Sequence, residues 1–146
     1  MRHKHILIIV IVFQVLMVGG LCSRGLADEP LTKQDLVREA KAAIEEIDVA
    51  QAREMFEEGW VYFIDCREEK EFRRGHIPGA LNIARGWLEF KIEEIVPERN
   101  ATIVLYCRSG DRSSLGVLSL QRMGYVNSVN LKGGWRAWMN GDHPVE

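Results

Sequence analysis

The sequence predicts an α/β domain built on a parallel sheet with helices on both faces. Three observations carry that expectation. Two runs, Trp60–Ile64 and Thr102–Tyr106, are apolar throughout and show no polar alternation, the pattern of strands buried on both faces. Segments of helical period lie between and around these runs, so strands and helices alternate along the chain. The length of 146 residues, with 47% apolar and 27% charged, is enough for one domain with its own core.

The elements follow in order. Thr32 and Asp35 form a capping-box pattern, and Leu36, Val37, Ala40, Ala43 and Ile44 recur at helical spacing, which predicts a helix over 32–44. Its place is on the outside of the domain, as an N-terminal extension. Asp48 caps a second helix that runs to about Glu58 and stops at Gly59. The first buried strand, Trp60–Ile64, is bounded by Gly59 and Asp65. A short helix over 68–73 and a short strand over 81–83 come next. Trp87–Val96 is amphipathic, with Leu88, Ile92, Ile95 and Val96 on one side, and Pro97 ends it. Thr102–Tyr106 is the second buried strand. A helix over 113–123 turns Leu115, Leu118 and Met123 inward and stops at Gly124. Ser128–Leu131 is the last strand. Gly133-Gly134 then turns into a terminal helix over 135–139, whose Trp135 and Trp138 close the core. There are no internal repeats and no low-complexity stretches.

The first residues read differently. Arg2-His3-Lys4-His5 is a basic head, Ile6–Val18 is apolar apart from Gln14, and Gly25-Leu26-Ala27 offers small residues before Asp28. This predicts a signal peptide over 1–27 cleaved after Ala27, an extension over 28–48 and the main domain over 49–146. A membrane association follows only if the segment stays uncleaved. The stretch Ile6–Leu21 is 16 residues long, short of the ~20 that span a bilayer comfortably. Cys22 follows the bulky Leu21 where a lipid-modified cysteine wants a small residue. The expected location is therefore periplasmic or secreted. The net charge of −2 becomes −5 once Arg2, Lys4 and Arg24 are removed, and a mildly acidic body is no nucleic-acid binder. Cys66 and Cys107 remain, too few for a disulfide framework.

The richest segment for chemistry is Cys107-Arg108-Ser109-Gly110-Asp111-Arg112-Ser113. A cysteine ending a buried strand, then a loop holding glycine and arginine, then a helix start, is an arrangement that activates sulfur. The loop can turn backbone N–H groups toward the cysteine, and the helix points its positive end at the same spot. Arg108 and Arg112 add full charges, an electropositive setting that lowers a thiol pKa from about 8.5. Most cysteines after strands are inert core residues, but a loop this polar covers no core. On an acidic protein the two arginines are a local positive spot, suited to a small anionic substrate.

A second segment runs Asp65-Cys66-Arg67-Glu68-Glu69, Glu71-Phe72 and Gly75-His76-Ile77-Pro78-Gly79-Ala80-Leu81-Asn82-Ile83. Together with the Cys107 loop and Gly133-Gly134-Trp135-Arg136-Ala137-Trp138, followed by Pro144-Val145, it resembles the rhodanese (thiosulfate sulfurtransferase) family in a single-domain, exported form. The resemblance covers roughly Val49–Glu146. One departure is Cys66, where the family usually has an aliphatic residue. The resemblance implies a rhodanese-like fold with a parallel central sheet of about five strands. It implies sulfur transfer from thiosulfate or a related anionic donor, through a Cys107 persulfide, to cyanide or to a thiol, free or on a protein. By motif match Cys107 is the nucleophile, and Arg108, Ser109, Gly110, Asp111, Arg112 and Ser113 cradle substrate and persulfide. No metal and no organic cofactor is called for, because the sulfur itself is the cargo. Asp65, Arg67, Glu71 and His76 read as scaffold that ties the Gly75–Gly79 turn to the sheet, with acid–base work as the competing reading.

Two other functions compete. A cysteine phosphatase or arsenate reductase places five residues between cysteine and arginine, whereas Cys107 and Arg112 enclose four, a tighter loop suited to one sulfur. A sulfur-carrier or redox interaction module would use the same loop without turnover. Cys66, at the end of a neighbouring central strand, raises a further expectation. It is either a small buried residue in place of an aliphatic one or a partner of Cys107 in a protective or resolving disulfide.

Overall fold

The computed structural model describes residues 29–146, so the signal reading over 1–27, with Cys22, lies outside the described residues. Among the described residues no helix is long and apolar enough to cross a membrane. The elements are α1 (Lys33–Ala43), β1 (Glu46–Ile47), α2 (Val49–Glu58), β2 (Tyr62–Asp65), α3 (Glu69–Phe72), β3 (Leu81–Asn82), α4 (Leu88–Ile95), β4 (Ile103–Tyr106), α5 (Asp111–Arg122), β5 (Ser128–Leu131) and α6 (Gly134–Met139). The five strands form one sheet in the order β1-β5-β4-β2-β3, and every pairing is parallel.

The two apolar runs sit where their composition sends them, as neighbouring central strands. Their alternate residues divide between two cores. Ile64, Cys66, Leu105 and Cys107 face α4 and α5 with Leu88, Ile92, Val117 and Leu120. Phe63, Val104 and Tyr106 face the other side, with Ala52 of α2 and Trp138 of α6. After β3 the chain crosses to the far side of β2, so the strand order reverses between β2 and β4. In parallel sheets the carboxyl ends at such a reversal form the ligand-binding crevice. Asp65-Cys66-Arg67 and Cys107 are the residues at those two ends.

Both predicted caps form. Thr32 and Asp35 cap each other's backbone at α1, and Asp48 does the same with Gln51 at α2. Four details differ from the sequence reading. First, β2 begins at Tyr62, and Trp60 is 90% exposed, because the ladder starts where the Tyr62 N–H donates to Thr102 and no strand lies beside the residues before it. Second, a fifth strand, β1, pairs with β5 through the segment read as extension. Third, α5 begins at Asp111 rather than Ser113, so Asp111, Arg112 and Ser113 belong to its first turn. Fourth, the inward face of α5 is Ser113, Gly116, Val117 and Leu120, while Leu115, Leu118 and Met123 are half-buried. The reason is close approach. A Cβ on Gly116 would overlap Leu105 and lie 3.0 Å from Leu88, so small residues face the sheet and the leucines flank it. From outside, α1 packs against α5. Of the two tryptophans expected to close the core, Trp138 is fully buried and Trp135 is half-buried against Tyr106.

The start of α6 meets the loop after β4 backbone to backbone. Gly134 has φ +56°, and a Cβ there would overlap the Cys107 carbonyl oxygen and lie 2.9 Å from the Gly110 nitrogen. Neither atom can rotate away as a side chain would. Gly134→Ala is expected to destabilise the protein by about 2–4 kcal/mol, from overpacking plus the left-handed backbone. Gly86→Ala, where a Cβ meets nothing within 4 Å, is the control. Urea midpoints of the two variants check the difference.

Candidate active site

Cys107 follows the last residue of β4, and its side chain is 1% exposed. Two sets of backbone hydrogen bonds shape the loop that follows. The Trp135 and Arg136 N–H groups, from the first turn of α6, donate to the carbonyls of Cys107 (2.7 Å) and Arg108 (3.1 Å). Asn130 of β5 donates through Nδ2 to the Gly110 carbonyl at 3.0 Å. With the carbonyls drawn outward, the N–H groups turn in. The Gly110 N–H meets the Cys107 Sγ at 3.2 Å. Gly110 takes φ +91°, which glycine adopts without steric cost. The twelve-residue α5 starts at Asp111, so its positive end lies against the same sulfur.

This surrounding pulls the Cys107 thiol down to about 4. The largest cause is Cys66, whose S–H donates toward the Cys107 sulfur; burial opposes, and the Ser113 hydroxyl and the Ser113 and Ser109 N–H groups add to the lowering. The Ser113 hydroxyl is buried and finds no hydrogen-bond partner of its own among the described residues, which leaves it free to donate to the sulfur. The same contact, followed by burial, pushes the Cys66 thiol well above the ordinary range. One proton is therefore shared by a pair, with the charge on Cys107 and the hydrogen on Cys66.

The remaining loop residues separate. Arg112 is half-buried, and its guanidinium reaches Glu71 of α3 at 3.3 Å, with the Cys107 charge also acting on it. Arg108 is exposed and lines a surface groove with Trp135, Arg136, Met139 and Asn140. Ser109 is half-buried at the rim. Asp111 is exposed and takes Lys41 of α1 at 2.8 Å, so the N-terminal helix pins the first turn of α5.

The Asp65 segment divides as well. Asp65 and Arg67, at 0% and 3% exposure, form a buried bidentate pair whose shortest contact is 2.6 Å. Arg67 also donates to the Gly75 carbonyl at 2.7 Å and stacks over Trp135 at 4.8 Å. That is scaffold: it joins the Gly75 turn, β2 and the start of α6. His76 stacks on Phe72, with its Nδ1 3.1 Å from the Phe72 carbonyl, away from the sulfur. Glu71 alone of the four touches the loop, through Arg112. The sequence reading gave Gly134 only a turn and attached no role at the site to Asn130 or Lys41. The Gly133-Gly134 doublet was the available signal for close backbone approach; Asn130 and Lys41 carry none, since their roles come from strands and helices far apart in the chain.

Comparison with known proteins fits this geometry. The rhodanese-like domain model matches residues 48–141. A protein named sulfurtransferase from Allochromatium vinosum is 35% identical over 85 residues, 58% of this chain and 78% of its own. Thiosulfate sulfurtransferase 18 of Arabidopsis thaliana is 32% identical, over 68% of this chain and 81% of its own. Among solved structures, a protein of unknown function from Rhodopseudomonas palustris, described as a possible tyrosine phosphatase, superposes with a TM-score of 0.73 at 31% identity. That match covers 81% of this chain and 99% of the other. With its five-stranded parallel sheet and the loop at the reversal of strand order, the chain belongs to the rhodanese-like domain family.

Proposed function

We propose that the protein is a sulfurtransferase that accepts a sulfane sulfur on Cys107 from thiosulfate or a related anionic donor and passes it to a thiol or cyanide. The observation that carries this reading is a buried Cys107 sulfur that accepts the Gly110 N–H at the start of α5, in a loop with four residues between cysteine and arginine. In the first half, the Cys107 thiolate attacks the outer sulfur of thiosulfate. The new Sγ–S bond forms, the S–S bond of the donor breaks, and sulfite leaves with its electron pair. Arg112 faces the donor's oxygens, which a guanidinium binds with two parallel hydrogen bonds. The outer sulfur of the resulting persulfide carries negative charge, which the N–H groups and the α5 N-terminus stabilise as they would an oxyanion. In the second half the acceptor attacks that outer sulfur and Cys107 leaves as thiolate. A thiol of low pKa is the better leaving group, so the lowered pKa serves this step directly.

The phosphatase reading shares the cysteine and the arginine. A tetrahedral phosphate, however, needs more inward N–H groups than this shorter loop supplies. Cys107→Ser is expected to abolish both gain of a sulfur atom by mass and thiosulfate–cyanide turnover. Arg112→Ala is expected to raise the KM for thiosulfate by roughly 10- to 100-fold, the equivalent of losing one charge-assisted contact to an anion. Aryl-phosphate hydrolysis that vanishes in Cys107→Ser, without sulfur gain, would establish the phosphatase instead.

The pH dependence follows from the sign of the shift. A thiol held at about 4 is already ionised across the neutral range. Sulfur acceptance is therefore expected to be flat from about pH 6 to 9, where an ordinary thiol would still be gaining rate, and to fall as pH drops toward 4. Cys66→Ala removes the largest cause and moves the acid limb upward. Cys66→Ser, which keeps a donor, leaves it low. Thiolate absorbance followed across the titration reads both. The segment over 1–27 is proposed to export the protein, and the intact mass of exported protein beginning at Asp28 is the expected result.

A further inference from the structure

The parallel register that places β2 beside β4 also fixes the relation of the two cysteines. Asp65 pairs with Tyr106, and the Cys66 N–H continues the ladder by donating to the Tyr106 carbonyl at 2.8 Å. One step on, Cys66 stands across from Cys107. Both side chains lie on the α4–α5 face, in one buried cluster. Neighbouring strands run about 4.8 Å apart, inside the roughly 4.4–6.8 Å between Cα atoms that a disulfide spans. The Cys66 backbone is held from both sides, since its carbonyl also accepts from the Arg85 N–H at 3.1 Å. Both thiols are free in this structure. An aliphatic residue would fill the position equally well as packing. A thiol beside Cys107 in the same buried cluster is instead a second nucleophile already in place.

We propose that Cys66 is a resolving residue that gives the protein a second activity, reductive release of hydrosulfide from the Cys107 persulfide. The proposal rests on the sulfur-transfer reading above. Loading of sulfur puts a leaving group on the Cys107 sulfur. The Cys66 sulfur attacks that inner sulfur, and a Cys66–Cys107 bond forms. The bond between Cys107 and the sulfane sulfur breaks, and its electron pair leaves with the outer sulfur. The Cys66 proton passes to the departing sulfur, which exits as hydrosulfide. The two cysteines are oxidised to a disulfide, and the sulfane sulfur is reduced to sulfide. An external dithiol restores the pair by thiol–disulfide exchange. Transfer to an acceptor and release of hydrosulfide thus compete for one intermediate, and the supply of acceptor decides between them.

The test loads full-length protein with thiosulfate or inorganic polysulfide, removes the donor and adds no acceptor. Wild type, Cys66→Ser and Cys66→Ala are compared by intact mass under non-reducing conditions, with sulfide measured in parallel. The expected wild-type result is loss of the added sulfur, loss of two hydrogens and about one sulfide released per chain. Peptide mapping then joins Cys66 to Cys107. Both variants are expected to keep the added sulfur. Cys66→Ser is the cleaner variant, because a hydroxyl still donates to Cys107 and the side chain keeps its size. Wild type that keeps its sulfur as long as Cys66→Ser does, or equal sulfide release from both, overturns the proposal and leaves sulfur transfer standing. Failure of all three chains to gain sulfur overturns sulfur transfer, and this proposal falls with it.

Discussion

The site depends on one backbone contact: the N–H groups that open α6 donate to the carbonyls of Cys107 and Arg108. A peptide unit has two ends, and fixing the carbonyl outward fixes the N–H inward. The loop after β4 is therefore set from behind, by residues 28 positions further along the chain. Gly134 is what lets the two backbones meet, since any Cβ there would occupy the Cys107 carbonyl. Asn130 repeats the device one strand over, drawing the Gly110 carbonyl outward. The groups that meet the sulfur, the Gly110 N–H among them, are donors, and that is the chemical character of the site.

The contact is supported in turn by a buried charge pair. Asp65 and Arg67 are removed from water, a cost of several kcal/mol per ion before any compensation. Here the compensation is close to complete. Asp65 accepts from the Arg67 side chain and from its backbone N–H, and the guanidinium also reaches Gly75. Its open face lies on Trp135, where a desolvated cation over an indole gains about 2 kcal/mol. That stacking fixes the residue whose N–H holds Cys107. The ion pair thus holds Cys107 through Trp135 without touching sulfur, as frame rather than as acid or base.

How much of this a sequence can show follows from where each signal is written. Both central strands were legible because burial on two faces demands an uninterrupted apolar run. The loop around Cys107 stands out in the sequence because polar residues directly after such a run have no packing purpose. The strand Glu46–Ile47 was not, because two residues following Glu45 carry neither period nor composition. Leu115 and Leu118 were misplaced because hydrophobicity alone ranks leucine above glycine for the inside, whereas close approach of α5 to the sheet reverses that order. The start of α5 is not legible because Asp111 and Arg112 carry no apolar period, yet the helix begins there and brings its N–H groups to the sulfur. Partners set by long-range backbone geometry, such as Asn130, leave no local trace at all.

Cys66 shows how a single substitution can tie acid strength to redox chemistry. A hydrogen bond between two thiols lowers one pKa only by raising the other, so Cys107 becomes a thiolate because Cys66 does not. A sulfur of such low pKa is a weaker nucleophile than its charge suggests and a better leaving group, since nucleophilicity falls as pKa falls. In the proposed reaction Cys107 is therefore biased toward giving sulfur away. Cys66, held neutral while Cys107 bears the charge, would be relieved of that neighbour if a persulfide moved the charge out to the sulfane sulfur. The thiol is then restrained mainly by burial, beside a sulfur that has gained a leaving group. On the proposed chemistry, the donor that activates the empty protein is the same group that would threaten the loaded one, and an aliphatic residue at this position would supply neither effect.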